Sequence, residues 1–283
     1  MTHARGLTIH RFPSSAVAAR ALARQVARDL RERPSMVLGL PTGRTPVPLY
    51  AELASLYAMG EVDFSQASTF NLDEFMGLSA DDPRSYRAFM ERHLFGRVNL
   101  QPRRVHFLNG LASDPAAECA RYERHIARAG GIDLLILGLG VNGHIGFNEP
   151  GATLVAQTHR TVLTRAARRA NAGLFGGRLR EVPGHALSMG MATILRSRRI
   201  VLLATGRNKA TAVRRLVEER LTTRVPASFL QLHPCVEVWV DHQIKPGDDW
   251  DREIAKKLGE ADIVLTLVSI DFKDGDDPDV FRL

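Results

Sequence analysis

The sequence predicts a doubly wound α/β fold: a mostly parallel sheet with helices on both faces. Two observations carry this reading. Apolar runs such as Met36 to Leu40, Ile132 to Leu137 and Ile200 to Thr205 are strand-sized and read as buried strands. They alternate with amphipathic segments of helical period, the signature of βαβ units and a parallel sheet.

Taken in order, strand pattern begins by residue 7, and residues 14–32 read as an amphipathic helix with Ser14 or Ser15 as N-cap. A strand over Met36 to Leu40 runs into the loop PTGRTP, and a second helix starts near Val47. Ser68 to Leu72 is a strand ending at Asp73, and Ser85 caps a helix through Phe95. Val105 to Leu108 is a strand, 115–129 a helix and Ile132 to Leu137 a strong buried strand. After a long loop come a helix near 186–196, a strand at Ile200 to Thr205, a helix at 208–221 and a strand at Val236 to Asp241. This gives one α/β domain over 1–243. The turn-rich PGDDWD at 246–251 then leads into an acidic extension, 244–283, whose run IVLTLVSI could add to the sheet.

The chain has 283 residues, 45% hydrophobic and 24% charged, which is ordinary globular usage. No apolar run reaches the roughly 18 residues of a membrane span, and the start, MTHARGLTIHRF, lacks a signal peptide's apolar core. Cys119 and Cys235 form no C-x-x-C pair or disulfide framework. The expectation is a reduced, soluble, cytoplasmic protein. The formal charge of +7 hides an asymmetry: six bases face eleven acids from Lys245 onward, against 32 and 20 before it. So basic a body attracts anions, but its arginines are scattered over helices, and charge alone does not choose the partner.

In such sheets chemistry collects where strands end at their carboxyl edges, so the loops of interest are 41–46, 73–85, 138–151 and 206–209. Gly138-Leu-Gly140-Val-Asn-Gly143 is literally G-x-G-x-x-G after a strand. A dinucleotide fingerprint should open a helix and find an acid about 20 residues on. Here His-Ile-Gly-Phe-Asn-Glu-Pro follows, and no acid lies between Glu149 and Glu181. His144 and Glu149 fit an acid–base relay; equally, His144 could bond a backbone carbonyl while Glu149 stays solvated. Asp73 follows a buried strand, with Glu74 on the opposite side of an extended backbone. One of the two can face a substrate, or both can cap or solvate the turn.

Leu40-Pro-Thr-Gly-Arg-Thr-Pro46 lacks the G-K-[ST] of a nucleotide-binding loop, yet offers N–H groups and hydroxyls at a helix start, suited to one phosphate. Gly206-Arg-Asn-Lys209 makes a similar turn, and a lysine there opposes the helix dipole unless an anion is present. No metal-ligand spacing, H-E-x-x-H or G-x-S-x-G occurs, so no metal and no cofactor is expected.

Five stretches occur in a fixed order: GLPTGRTP (39–46), TFNLDEFMGL (69–78), LGLGVNGHIGFNEPG (137–151), ALSMGMATIL (186–195) and TGRNKA (205–210). With them the chain resembles the glucosamine-6-phosphate deaminase (glucosamine-6-phosphate isomerase) family from about residue 7 to 243. The resemblance implies a sugar-phosphate isomerase type of sheet and a reaction turning D-glucosamine 6-phosphate and water into D-fructose 6-phosphate and ammonia. It implies Asp73 as the base moving a proton from C2 to C1, with His144 and Glu149, joined by Asn142, assisting ring opening. Thr42, Gly43, Arg44, Thr45 and Lys209 would bind substrate at its phosphate.

The sequence departs from the family in places. Asn142 is aspartate in some members. Gly173 stands where relatives commonly carry a phosphate-gripping arginine, a loss Arg44 could offset. His159 and Thr161 stand where regulated members place an arginine and a lysine. The extension past 243 has no recognised counterpart. Other readings are a lactonase-like hydrolase or isomerase of a related phosphosugar, or a non-catalytic sugar-phosphate sensor; the latter's N-terminal helix-turn-helix finds no space before residue 7. The expected partner is a small phosphorylated amino sugar, with neither nucleic acid nor membrane. A homo-oligomer is left open.

Overall fold

The computed structural model describes residues 2–4, 6–218 and 220–242. The expected acidic extension 244–283, with its run IVLTLVSI, lies outside the described residues.

Local rules place the first elements. Helix α1 (Ser15–Glu32) opens where the Ser14 hydroxyl accepts the Val17 N–H at 3.2 Å, an N-cap worth about 1 kcal/mol. Its buried Ala18, Leu22, Val26 and Leu30 form one stripe at four-residue spacing. α2 (Val47–Ala58) starts behind Pro46. α3 (Tyr86–His93) is capped by Ser85, and α4 (Pro115–Arg128) by Asp114.

The main sheet has a strand β1 (Thr2–Ala4) paired antiparallel to β2 (Leu7–Phe12). Its other strands, all parallel to β2, are β3 (Val37–Leu40), β4 (Ser68–Asn71), β6 (Val105–His106), β7 (Leu134–Gly138), β10 (Arg199–Ala204) and β11 (Val236–Asp241). A smaller antiparallel sheet joins β5 (Asp73–Phe75), β9 (His185–Ser188) and β8 (His159–Val162). The main order is β1-β2-β11-β10-β7-β3-β4-β6. The chain goes one way from β3, to β4 and β6, and the other way from β7, to β10 and β11. The switch point therefore lies between β3 and β7, the crevice where such sheets bind ligands.

Alternation along the strands sends Leu38, Leu40, Leu134, Ile136, Val201, Leu203 and Trp239 into one core with α1 and α2. The intervening Leu135, Leu137, Ile200, Leu202 and Val238, equally buried, face the other side. Fully burying each such side chain contributes about 1.5–3 kcal/mol. Among the described residues no helix is long and apolar enough to cross a membrane.

The segment near 186–196 is not the single helix expected. It is β9, then Gly190, then the short α6 (Met191–Leu195). Its apolar pattern fits either period, and β5 and β8 supply ladder partners on both sides of β9. Gly190 makes the break, because a Cβ there would fall 2.1 Å from the Gln157 carbonyl oxygen. The long loop before it holds β8 and α5 (Arg165–Asn171). Past β10, α7 spans Ala210–Glu218.

Candidate active site

Asp73 sits where the chain passes from one sheet to the other. β4 ends at Asn71, Leu72 still donates its N–H to the Leu40 carbonyl, and Asp73 is the first residue of β5. It was expected at the end of a strand and proves to begin the next. Asn71, two residues before it, is anchored twice: its side-chain amide donates to the Leu40 carbonyl at 3.1 Å, and its carbonyl accepts from Tyr122 Oη at 2.6 Å. Asp73 is 7% exposed, and its Oδ1 has no hydrogen-bond partner among the described residues. Burial, helped by the neighbouring Glu74 carboxylate, pushes its carboxyl up to about 8.

Glu74 points the other way, as an extended backbone requires. Its Oε1 accepts the N–H of Phe75 (2.8 Å) and Tyr86 (3.0 Å), and its Oε2 that of Arg87 (2.9 Å). It caps α3 from a distant strand, so of the two acids Asp73 is the one left to meet a ligand.

The loop after β7 supplies the second group. Asn142 Nδ2 donates to Glu149 Oε2 at 2.8 Å, and Asn142 Oδ1 lies 2.7 Å from His144 Nδ1. Glu149 Oε1 is also 3.3 Å from Nδ1, but without hydrogen-bond geometry, so the amide is the partner of that nitrogen. Since an ionised carboxylate only accepts, the Asn142 NH₂ must face Glu149 and its oxygen must face His144. His144 Nδ1 therefore carries hydrogen, and in the neutral ring Nε2 keeps the lone pair. Burial lowers the His144 pKa, opposed by Glu149 and assisted by Lys209, so the neutral form is favoured.

The glycines of this loop serve the histidine and not a dinucleotide. No helix follows; the Gly140 N–H bonds back to the His144 carbonyl at 2.8 Å. A Cβ on Gly140 would come within 2.3 Å of the imidazole ring. Gly146, at φ 56°, brings the same loop to Asp73: a Cβ there would be 3.8 Å from Asp73 Oδ2 and 3.2 Å from Ser188 Oγ. Ser188 in turn accepts the Phe147 N–H at 3.1 Å.

The third side is cationic. Lys209 lies in a tight turn after β10, held by the Gly206 N–H, which donates to the buried Asp241 carboxylate at 3.2 Å. Burial and the neighbouring Arg44 guanidinium lower the Lys209 pKa. Arg44 sits beside Gly43 (φ 94°) in the turn between β3 and α2, exposed, and no hydrogen bond or ion pair among the described residues takes up its guanidinium. Thr42 of the same turn lies beside Tyr86, whose hydroxyl donates to Asn171 Oδ1 at 2.8 Å. Thr45 lies half-buried near the start of α2, and Gly173 opens onto free space.

Asp73, Asn142, His144, Glu149, Thr42, Arg44 and Lys209 are thus drawn to one edge of the sheet. The sequence left a capping role open for Glu74 without showing that the helix it caps is α3, and gave no place to Tyr86, Ser188 and Asp241. The only signals were the second acid of FNLDE and the serine inside ALSMG. Among the described residues no group of ligands suits a metal ion.

What this edge defines is an enzyme of the doubly wound α/β class, with a buried carboxyl beside a tautomer-fixed imidazole. Comparisons narrow the class. A family model described as glucosamine-6-phosphate isomerases/6-phosphogluconolactonase matches residues 13–239, and the chain belongs to that family. It is 50% identical over 218 residues to a glucosamine-6-phosphate deaminase of Halothermothrix orenii, covering 77% of this chain and 90% of the relative. The deaminase of Thermoanaerobacter pseudethanolicus is 47% identical over 218 residues, covering 77% and 86%. A solved monomeric glucosamine-6-phosphate deaminase superposes with a TM-score of 0.81 at 41% identity, covering 84% of this chain and 98% of that one. The 6-phosphogluconolactonase of Thermotoga maritima, at 20% identity and TM-score 0.65 over 83% and 99%, shares the fold.

Proposed function

We propose that this protein converts D-glucosamine 6-phosphate and water into D-fructose 6-phosphate and ammonia, with residues 1–243 as the catalytic domain. One observation carries the reading: Asp73, a buried carboxylate with a free oxygen, shares a pocket with the loop that fixes His144. The names of the relatives, deaminases at 47–50% identity, support it.

The residues divide the work as follows. His144 Nε2 takes the O1 proton and hands it to the ring oxygen as the C1–O5 bond breaks, opening the sugar; Glu149 steadies the imidazolium that forms in between. Asp73 then takes the C2 proton, giving an enolamine, and returns it to C1. One carboxylate on a rigid strand end can reach both carbons. Water adds to the resulting C2 imine, and ammonia leaves. Among the described residues no cation pairs with Asp73; a substrate ammonium would draw its carboxyl toward the ionised form. The turn Thr42 to Thr45 and Lys209 take the phosphate, with Arg44 as a further cation.

The test is product analysis. Purified protein given D-glucosamine 6-phosphate should release ammonia and D-fructose 6-phosphate in equal amounts. Hydrolysis of 6-phosphogluconolactone without ammonia release would establish the lactonase alternative, and binding without turnover the sensor.

A further inference from the structure

Glu74 is 2% exposed, forms no ion pair and spends both carboxylate oxygens on backbone N–H groups. Two of these, Tyr86 and Arg87, are the first residues of α3. The bonds therefore join two elements, the strand that begins with Asp73 and the helix that begins with Tyr86. Tyr86 packs its ring on Phe75 (centroids 4.5 Å apart) and Phe147 (6.1 Å), and reaches Asn171 and Thr42 with its hydroxyl. A helix start could be capped by a neutral side chain at far lower desolvation cost, and Ser85 already caps this one at Ala88 (3.0 Å). A second, charged cap next to a buried carboxylate is locally unfavourable.

We propose that Glu74 is a positioning residue for the reaction. It pins the first turn of α3 to the strand that carries Asp73, and its unpaired negative charge beside Asp73 strengthens Asp73 as a proton acceptor. The inference rests on the reaction assigned above.

Among the described residues the groups facing this pair contain no cation. They are Tyr50 from α2, Tyr86 from α3, Tyr122 from α4 and Asp82 from the loop before α3. All three tyrosines are held neutral by burial, and Asp82 adds negative charge. Glu74 is itself raised to about 7, burial outweighing its three N–H donors. Over the pH range where Asp73 must act, Glu74 is already becoming negative.

Two substitutions separate reach from charge. Glu74→Gln keeps the length and an acceptor oxygen but removes the charge. Its kcat/KM against pH should show the midpoint of the acid limb about one unit lower, with a lower plateau, because a weaker base ionises earlier. Glu74→Asp keeps the charge but is one methylene too short for Tyr86 and Arg87, so kcat should fall while that midpoint stays. A Gln variant with an unmoved midpoint would overturn the proposal.

A third measurement needs no variant and no substrate. In the full-length protein carrying ¹³Cγ-aspartate, the Asp73 resonance should titrate in two steps, the lower one reporting Glu74. A single step would overturn the proposal even if both variants failed to fold. Absence of ammonia release by the unaltered protein would instead count against the assigned reaction.

Discussion

Asn142 Oδ1 lies 2.7 Å from His144 Nδ1, and this contact decides which imidazole nitrogen meets the substrate. Removing the amide frees the ring to turn over and to carry its hydrogen on Nε2. Asn142→Leu should lower kcat/KM by about 10²-fold, the range of a lost general base. ¹⁵N spectra of the imidazole should show the Nδ1–H tautomer in the parent and a mixture in the variant.

If His144 serves ring opening, its loss should matter less where no ring needs opening. His144→Gln should slow turnover of the cyclic substrate more than that of an open-chain analogue. Equal losses would assign His144 to the isomerisation step.

Asp73→Asn should keep the fold and abolish turnover, since an amide cannot accept the C2 proton; surviving isotope exchange at C2 would remove Asp73 from that role. The same variant should be the more stable protein at alkaline pH. A carboxyl near 3.9 in the unfolded chain and about 8 in the native one makes unfolding progressively easier as pH rises from 4 to 8. The cost is on the order of 3–5 kcal/mol by the top of that window. Asp73→Asn escapes it, so its gain in Tm should be roughly 5–15 °C at pH 8 and much smaller at pH 5. Equal Tm differences at the two pH values would show that Asp73 is ionised throughout.

Arg44 lies near enough to Lys209 for its charge to help lower the lysine's pKa, and Gly173 contributes no side chain. With Arg44 on the phosphate, Arg44→Ala should raise KM for the phosphorylated sugar about ten- to a hundredfold, the worth of one charged hydrogen bond. Turnover of unphosphorylated glucosamine should not change. An unchanged KM would leave Arg44 a solvated side chain and point away from glucosamine 6-phosphate as substrate.

N-acetylglucosamine 6-phosphate should not activate the protein. His159 bonds its Nδ1 to the Gln157 carbonyl at 2.9 Å, and burial lowers its pKa, so it is neutral near pH 7. With Thr161 it cannot supply two fixed cations. Rate curves that the acetylated sugar turns from sigmoidal to hyperbolic would contradict this.

The main sheet was legible because its central strands are apolar on both faces and short enough to exclude helices. The small sheet was not. Asp73–Phe75 is three residues long, and Ala186–Ser188 reads as the start of the helix that follows it. Only their antiparallel pairings, β5 with β9 and β9 with β8, give these segments a reason to be extended, and pairing between residues so far apart leaves no local trace. In the site, His144, Glu149 and Asp73 stood out as titratable groups at strand ends. Glu74 did not, because its partners are main-chain N–H groups, which every residue but proline owns.

The pairing of β2 with β11, from Leu7↔Val236 to Phe12↔Asp241, bears on how the molecule is made. The first long strand to leave the ribosome waits for the last of the described ones. At ~5–20 residues per second, the 223 positions between those strands take roughly 10–45 s to synthesise. Throughout that time the hydrogen-bonding edge of β2 that will meet β11 has no native neighbour, the kind of exposed edge on which nascent chains aggregate. Completion of the β2–β11 pairing therefore comes late and has a built-in reporter. Trp239 stacks on Phe12 at 4.8 Å only once that gap has closed.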